Sequence, residues 1–250
     1  MTASPAPGTA GTSSDPRVTT VRRSTATWIE WDNGTTNLLD LELTAAINEA
    51  LLDAEADPAC AVVVLAGSPT AFCGGADLAK LRRTGTSTGF AAEVIRLLKL
   101  VPALRKPVIA AVRGDALASG FSIALLADVT VAADGTRLGT VEVAGGGWPM
   151  IAQVPVLHTL PPKPALLNVV TGVPFDAGRL LDLGVIADLV PAADVDRRTT
   201  EYADLMARAG TLAGTGRRAL KSMSLSAGYE ADLDAAYDGF VAMLSSKDGT

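Results

Sequence analysis

The sequence predicts an α/β chain built around a mainly parallel sheet, and three of its features make the prediction. Wholly apolar runs of strand length stand at 61–66 and 107–112, bounded by Gly or Pro, as strands buried on both faces do. Segments with apolar residues at helical spacing alternate with them, and strand–helix–strand units of this length require right-handed crossovers between parallel neighbours. Both apolar runs end in Gly-containing turns. These turns therefore lie at the carboxyl ends of strands, where open α/β sheets bind ligands.

The elements follow in order. The first fifteen residues are mostly Ala, Ser, Thr, Pro and Gly; with neither a basic n-region nor an apolar h-region, 1–16 is expected to be a disordered tail. Residues 18–32 read as two strand pieces around Ser24, with Trp28 and Ile29 leading to an Asn33-Gly34 turn, which is a hairpin signal. Leu43, Ile47, Ala50, Leu51 and Ala54 share a helix face, with Thr44 as the expected cap and Pro58 as the stop. After the strand at 61–66 comes AFCGGADLAKL, 71–81, a Gly pair between strand and helix in which Asp77 is placed to cap the helix. Phe90, Val94, Leu97, Leu98 and Val101 mark another amphipathic helix ending near Pro102.

The stretch 106–147 organises the rest. A strand at 107–112 feeds a small-residue turn at 114–120, a helix at 121–126 and a strand at 128–133; Glu142 then stands between valines, ahead of Gly145, Gly146 and Gly147. A helix that starts from such a turn leaves N–H groups unpaired and favours negative charge. Helical pieces are expected at 151–154, 165–171 and 176–183, with a last strand at 186–190. From 192 onward the pattern is mainly helical (194–208, 216–222 and 229–244) and reads as a separate layer.

Composition narrows the function. The 250 residues, 48% of them hydrophobic, suffice for one large core or one core with an appendage. A net charge of −6 without a Lys/Arg stripe argues against a nucleic-acid surface. Cys60, Cys73 and the single His158 cannot make a metal site of the usual spacing, and two cysteines make no disulfide framework, so a reducing, cytoplasmic setting is expected. No apolar run has the length that spans a bilayer. Neither GxxxxGK[ST] nor GxGxxG occurs, so the glycines are neither a P-loop nor a dinucleotide fingerprint. Ser119 lacks the glycine spacing of a nucleophile elbow, and His158 reads as an ordinary packed or solvated residue.

Four segments carry a resemblance: AFCGGADL, then KPVIAAVRGDALASGFSIALLADVTVAA, then LGTVEVAGGGWPM, and later TGVPFDAGRLLDLGVIADLVP. In order and spacing they resemble the enoyl-CoA hydratase/isomerase (crotonase) superfamily, from about Val18 to the C-terminus. The resemblance implies a crotonase-like spiral of ββα units over 17–191, a C-terminal helical trimerisation region over 192–250, and an acyl-CoA thioester as ligand. It implies no cofactor beyond the coenzyme A carried by the substrate, and a homotrimer or a hexamer of paired trimers. The family's two oxyanion-hole donors fall on the N–H groups of Ala76, after Gly75, and of Ser119, where the family usually has Gly. Glu142 matches the second of the two glutamates that hydratases use. At the position of the first stands Ser122.

That departure bears on the reaction. Removing a proton from the α-carbon of a thioester, or adding a nucleophile at the β-carbon, puts negative charge on the carbonyl oxygen, which two preorganised N–H donors stabilise, each by roughly 3–4 kcal/mol. Hydration also needs an activated water and a proton delivered to the α-carbon, work that family hydratases share between two carboxylates. Ser122 is neither a competent base nor a ready acid. Moving a double bond from the 3 to the 2 position needs one group, which takes the proton from C2 and returns it to C4, and Glu142 among valines that raise its pKa suits that role.

Each candidate has a plainer reading beside the functional one. Glu142 is either the base or a structural carboxylate bonded to nearby N–H groups. Ser122 lines the acyl pocket or positions a water, and Trp148 shapes that pocket or packs on the core. Asp77 and Leu78 flank the ligand side of the first Gly turn. Lys80, Arg82 and Arg83 form a solvated face or meet CoA phosphates. Asp115, on the small-residue turn, is a second proton donor or a solvated acid. The reactions left open are Δ3-Δ2-enoyl-CoA isomerisation, another crotonase reaction such as hydration, decarboxylation or thioester hydrolysis, and CoA binding without catalysis.

Overall fold

The computed structural model describes residues 11–12, 15–225 and 227–247. Most of the expected tail, residues 1–10 and 13–14, lies outside the described residues. Within it, β1 (Gly11–Thr12) pairs antiparallel with β2 (Val18–Arg23), and the Asp15 carboxylate meets Arg17 at 2.6 Å. The hairpin partner of β2 is β3 (Ala26–Trp31), and the reversal falls at Ser24 and Thr25, with Ser24 at φ +53°. The Asn33-Gly34 turn expected to close that hairpin instead leads the chain toward α1 (Leu41–Ala56). Asp40, and not Thr44, caps this helix by accepting from the Leu43 N–H (2.8 Å); the Thr44 hydroxyl, one turn in, donates to the Asp40 carbonyl.

The chain then makes three similar turns. The first is β4 (Val62–Ala66), β5 (Ala71–Cys73) and the helices α2 (Leu78–Thr84) and α3 (Ser87–Ala103). The second is β6 (Val108–Val112), β7 (Asp115–Leu117) and α4 (Ser119–Leu126). The third is β8 (Val129–Ala133), β9 (Arg137–Gly139), a 3-10 turn at Glu142–Gly145, α5 (Gln153–Thr159) and α6 (Pro162–Thr171). The long strand of each turn joins one sheet and the short strand joins another, which makes the coil a spiral. The segment expected as a plain turn at 114–120 thus contains β7, and β9 has no counterpart among the expected elements. Strands this short bury too few side chains to show a period.

The larger sheet has the order β1-β2-β3-β4-β6-β8-β11, where β11 is Asp188–Val190, and it is parallel from β3 onward. The smaller has the order β10-β9-β7-β5, where β10 (Phe175–Asp176) is antiparallel to β9 and the other pairs are parallel. β10 leads into α7 (Ala177–Asp182). All five residues of β4 and of β6 are buried. Alternate residues serve two cores: Val63 and Leu65 join the main core with α1, α3 and α4, while Val62, Val64 and Ala66 join a second with Val195 and Ala203 of α8 (Val195–Ala207). A sheet covered on both faces explains the unbroken apolar runs.

The helices after residue 192 do not stand apart as one layer. α8 closes the second face of the large sheet. α9 (Leu212–Ser224) is anchored by the buried Arg217, which pairs with Asp128 at 2.6 Å and donates to the carbonyls of Val101, Pro102 and Leu104 at the end of α3. α10 (Tyr229–Lys247) places Tyr229, Leu233 and Ala236 in the main core. His158 joins α5 to α10, meeting Asp232 at 2.7 Å and the ring of Tyr229 edge-on.

Candidate active site

The small sheet brings the sequence-predicted residues to one edge. Its parallel strands set Cys73 opposite Ala116, Ala116 opposite Leu138, and Leu117 opposite Gly139, with a register irregularity between Ala71 and Cys73. Ala76 lies three residues beyond the end of β5, Ser119 two beyond β7, and Glu142 three beyond β9. One residue from each turn of the spiral thus emerges at the same, carboxyl, end of adjacent parallel strands, where α/β architectures collect ligands.

The backbone leaves the two candidate donors open. Residue 76 forms an isolated parallel bridge with Leu39, in which the Leu39 N–H donates to Gly75 (2.8 Å) and the Asp77 N–H donates to Leu39 (2.8 Å). In that pattern the N–H of Ala76 points away from Leu39. Ser119 is the first residue of α4, so its N–H has no partner one turn back. Among the described residues neither N–H has an acceptor. Both residues are half-buried, whereas Gly75, Ala118 and Gly120 beside them are buried.

Close approach of the two arms depends on small residues. Gly75 has φ +98°, and a Cβ there would lie 2.7 Å from the Cβ of Ala118. A Cβ on Gly120 would lie 2.4 Å from the Cys73 carbonyl oxygen. Only glycine serves at either position. The strain of the second turn falls on Ala118, at φ +52° and ψ −120°, while Ser119 already has helical backbone. A serine is therefore acceptable where the family has glycine. Ala118 is tied to the third arm, since its N–H donates to the Gly139 carbonyl (2.9 Å).

Glu142 opens the 3-10 turn, with Oε2 accepting from the Val141 N–H at 2.8 Å. Burial raises its pKa above the usual glutamate value, and hydrogen bonds from the N–H groups of Glu142 and Val141 only partly offset this. Ser122 is fully enclosed, and its hydroxyl lies 3.3 Å from the Ala152 carbonyl and 3.5 Å from that of Ala118. Both distances are long for a hydroxyl hydrogen bond, and both neighbours are acceptors. Trp148 is exposed and donates from Nε1 to Gln153 (3.0 Å); Leu78, at the start of α2, is also exposed. Asp77 caps α2, accepting from the Lys80 N–H (2.8 Å).

Two of the alternatives that the sequence leaves open narrow here. Lys80 is held by the buried carboxylate of Asp40 at 2.7 Å, which leaves Arg82 and Arg83 as the exposed cations of α2. Asp115 starts β7, at the opposite end from Ser119, and is bound by Arg137 at 2.6 Å and by the Arg137 N–H at 2.8 Å. It does not join the edge where Ala76, Ser119 and Glu142 emerge. Two asparagines that fix the arms are absent from the residues the sequence singles out. The buried Asn37 amide donates to the carbonyls of Trp31, Ala71 and Phe72, tying β5 to the chain ahead of α1. The buried Asn168 accepts from the Thr140 N–H (2.9 Å) and donates to the Thr140 carbonyl (3.1 Å), two residues before Glu142. A polar amide inside an apolar helical stretch is the available signal at Asn168. Among the described residues no group of His, Cys, Asp and Glu is arranged to hold a metal ion.

The chain is similar to known proteins over most of its length. The family model for enoyl-CoA hydratase/isomerase matches residues 23–246. A Thermus thermophilus relative named for enoyl-CoA hydratase is 34% identical over 160 residues, 62% of this chain and 63% of that protein. The chain thus spans less than two thirds of that relative's length. Among solved structures, an enoyl-CoA hydratase/isomerase from Xanthobacter autotrophicus superposes with a TM-score of 0.81 at 25% identity, covering 90% of this chain and 86% of that one. A carnitinyl-CoA dehydratase from Mycobacterium avium gives 0.78 at 28% identity and covers 94% of each.

Proposed function

The chain belongs to the enoyl-CoA hydratase/isomerase family, and from that premise we propose that it is a Δ3-Δ2-enoyl-CoA isomerase using Glu142 as its single proton shuttle. The observation that carries the reading is that Glu142 is a half-buried carboxyl of raised pKa while the enclosed Ser122 offers only a hydroxyl, faced by carbonyl oxygens. In this reading the thioester oxygen lies between the N–H groups of Ala76 and Ser119. The carboxylate of Glu142 takes a proton from C2, the enolate is held by the two N–H donors, and the same proton returns to C4. No second acid or base is required. The raised pKa makes Glu142 a stronger base once ionised.

The exposed Arg82 and Arg83 are assigned to the CoA phosphates, and Leu78 and Trp148 to the mouth of the acyl pocket. The assembly is a homotrimer or a hexamer, which would cover Leu166, Leu167, Val170 and Val173, all exposed around α6. Two buried free cysteines suit a reducing cytoplasm. Hydration is the second reading, and the name of the Thermus thermophilus relative favours it. The test supplies a 3-enoyl-CoA and, separately, a 2-enoyl-CoA. Isomerisation makes the absorbance of the conjugated thioester appear from the first. Loss of that absorbance from the second, with none gained from the first, would replace isomerisation by hydration.

A further inference from the structure

Cys73 has no part in the chemistry so far, yet it sits where the two donor arms meet. It is the last residue of β5, wholly buried, and its sulfur is 3.4 Å from the N–H of Gly75. Gly120, on the other arm, packs directly on Cys73: a Cβ there would lie 2.4 Å from the Cys73 carbonyl oxygen. Gly75 is the neighbour of Ala76 and Gly120 the neighbour of Ser119. Cys73 thus touches the residue next to each candidate donor, by a hydrogen bond in the first turn of the spiral and by packing in the second. The packing agrees: a Cβ on Gly120 would lie 2.7 Å from the Cys73 Cβ, so no other atom fits between α4 and β5 there.

We propose that Cys73 is a positioning residue that sets the separation and direction of the Ala76 and Ser119 N–H groups. The inference rests on the reading of those two groups as the oxyanion hole. A sulfur suits the task because it accepts at longer range than oxygen. It does not act as a nucleophile. Burial pushes the thiol pKa up to about 12, with the N–H groups of Gly75 and Gly120 opposing, so the thiol stays protonated at neutral pH. The peptide the sulfur holds and the one that carries the Ala76 N–H meet at the Gly75 Cα, where φ is +98°, so freeing the Gly75 N–H lets that glycine relax and re-aims the Ala76 N–H.

The experiment follows deuterium uptake at C2 of butanoyl-CoA in D2O, a readout of enolate formation that needs no double bond. Wild type, Cys73→Ala, Cys73→Ser and Glu142→Gln are compared, with a thermal melt of each. Cys73→Ala is expected to lower the maximal exchange rate about 10- to 100-fold with KM nearly unchanged. Cys73→Ser keeps an acceptor of shorter reach and is expected to restore part of that rate. Should Cys73→Ala fail to fold, Cys73→Val, which fills the space without accepting a hydrogen bond, takes its place. Wild-type exchange in the folded Ala or Val variant, with none in Glu142→Gln, would overturn the role of Cys73 and leave the oxyanion reading standing. Full exchange in Glu142→Gln would overturn that reading and this inference with it.

Discussion

Each of the three turns of chain gives a long strand to the large sheet and a short strand to the small one, and under the proposed function the two sheets divide the work between stability and chemistry. In the large sheet β4 and β6 run five residues each with every side chain buried, and they serve a core on both faces. In the small sheet the strands are two or three residues long, and the residues that matter lie just past their ends. The first sheet fixes where the second one ends. A site made of main-chain N–H groups needs this arrangement, because a rigid frame is the only way to aim a peptide group without a side chain.

Substitution of Glu142 by Gln should separate the two sheets most sharply. Turnover is expected to fall about 10²- to 10⁴-fold. Stability at neutral pH should hold or rise. The sign follows from linkage: a carboxyl whose folded pKa is raised destabilises the fold once pH climbs through that pKa, and the neutral amide removes the penalty. In the wild type kcat/KM should fall as pH drops through the same pKa, on a limb above the ordinary glutamate value of 4.5, and the limb should vanish in the variant. A pH–rate profile of both proteins checks this, and an unchanged acid limb would reassign the base.

Leu65→Ala is the converse experiment. Leu65 is fully buried in β4, so a stability loss of about 2–5 kcal/mol is expected by denaturant titration, with kcat unchanged below the melting temperature. A parallel loss of kcat would show that the division of labour is not real. Asp115→Asn should do least. Its pairing with Arg137 is at the surface and at the far end of β7, so less than about 1 kcal/mol and no change in rate are expected. A marked loss of rate would return Asp115 to the site.

The same division explains what can be read from the sequence. The strands of the large sheet announce themselves as apolar runs, because burial on both faces leaves no polar position. The strands of the small sheet do not: Asp115–Leu117 passes for a turn, and Arg137–Gly139 and Phe175–Asp176 give no signal, since two or three residues carry no periodicity. Ala76, Ser119 and Glu142 are found through resemblance to known segments, and the register of the small sheet then brings them to one edge. Asn37 and Asn168 escape because a single buried amide is invisible until its partners, as far away as Phe72 and Thr140, are known. The cap of α1 lies one turn earlier than the sequence suggests. Both Asp40 and Thr44 suit a cap, and the deciding factor is that Asp40 also gathers Arg17 and Lys80, which only the fold reveals.

The burial of Ser122 bears on what else could stand at that position. A glutamate at 122 would need room for a longer, charged side chain in a fully enclosed space faced by the carbonyls of Ala118 and Ala152, two acceptors that offer no proton. Placing a second acid there therefore takes more than one exchange, because the segment around Ala152 would have to withdraw to admit it.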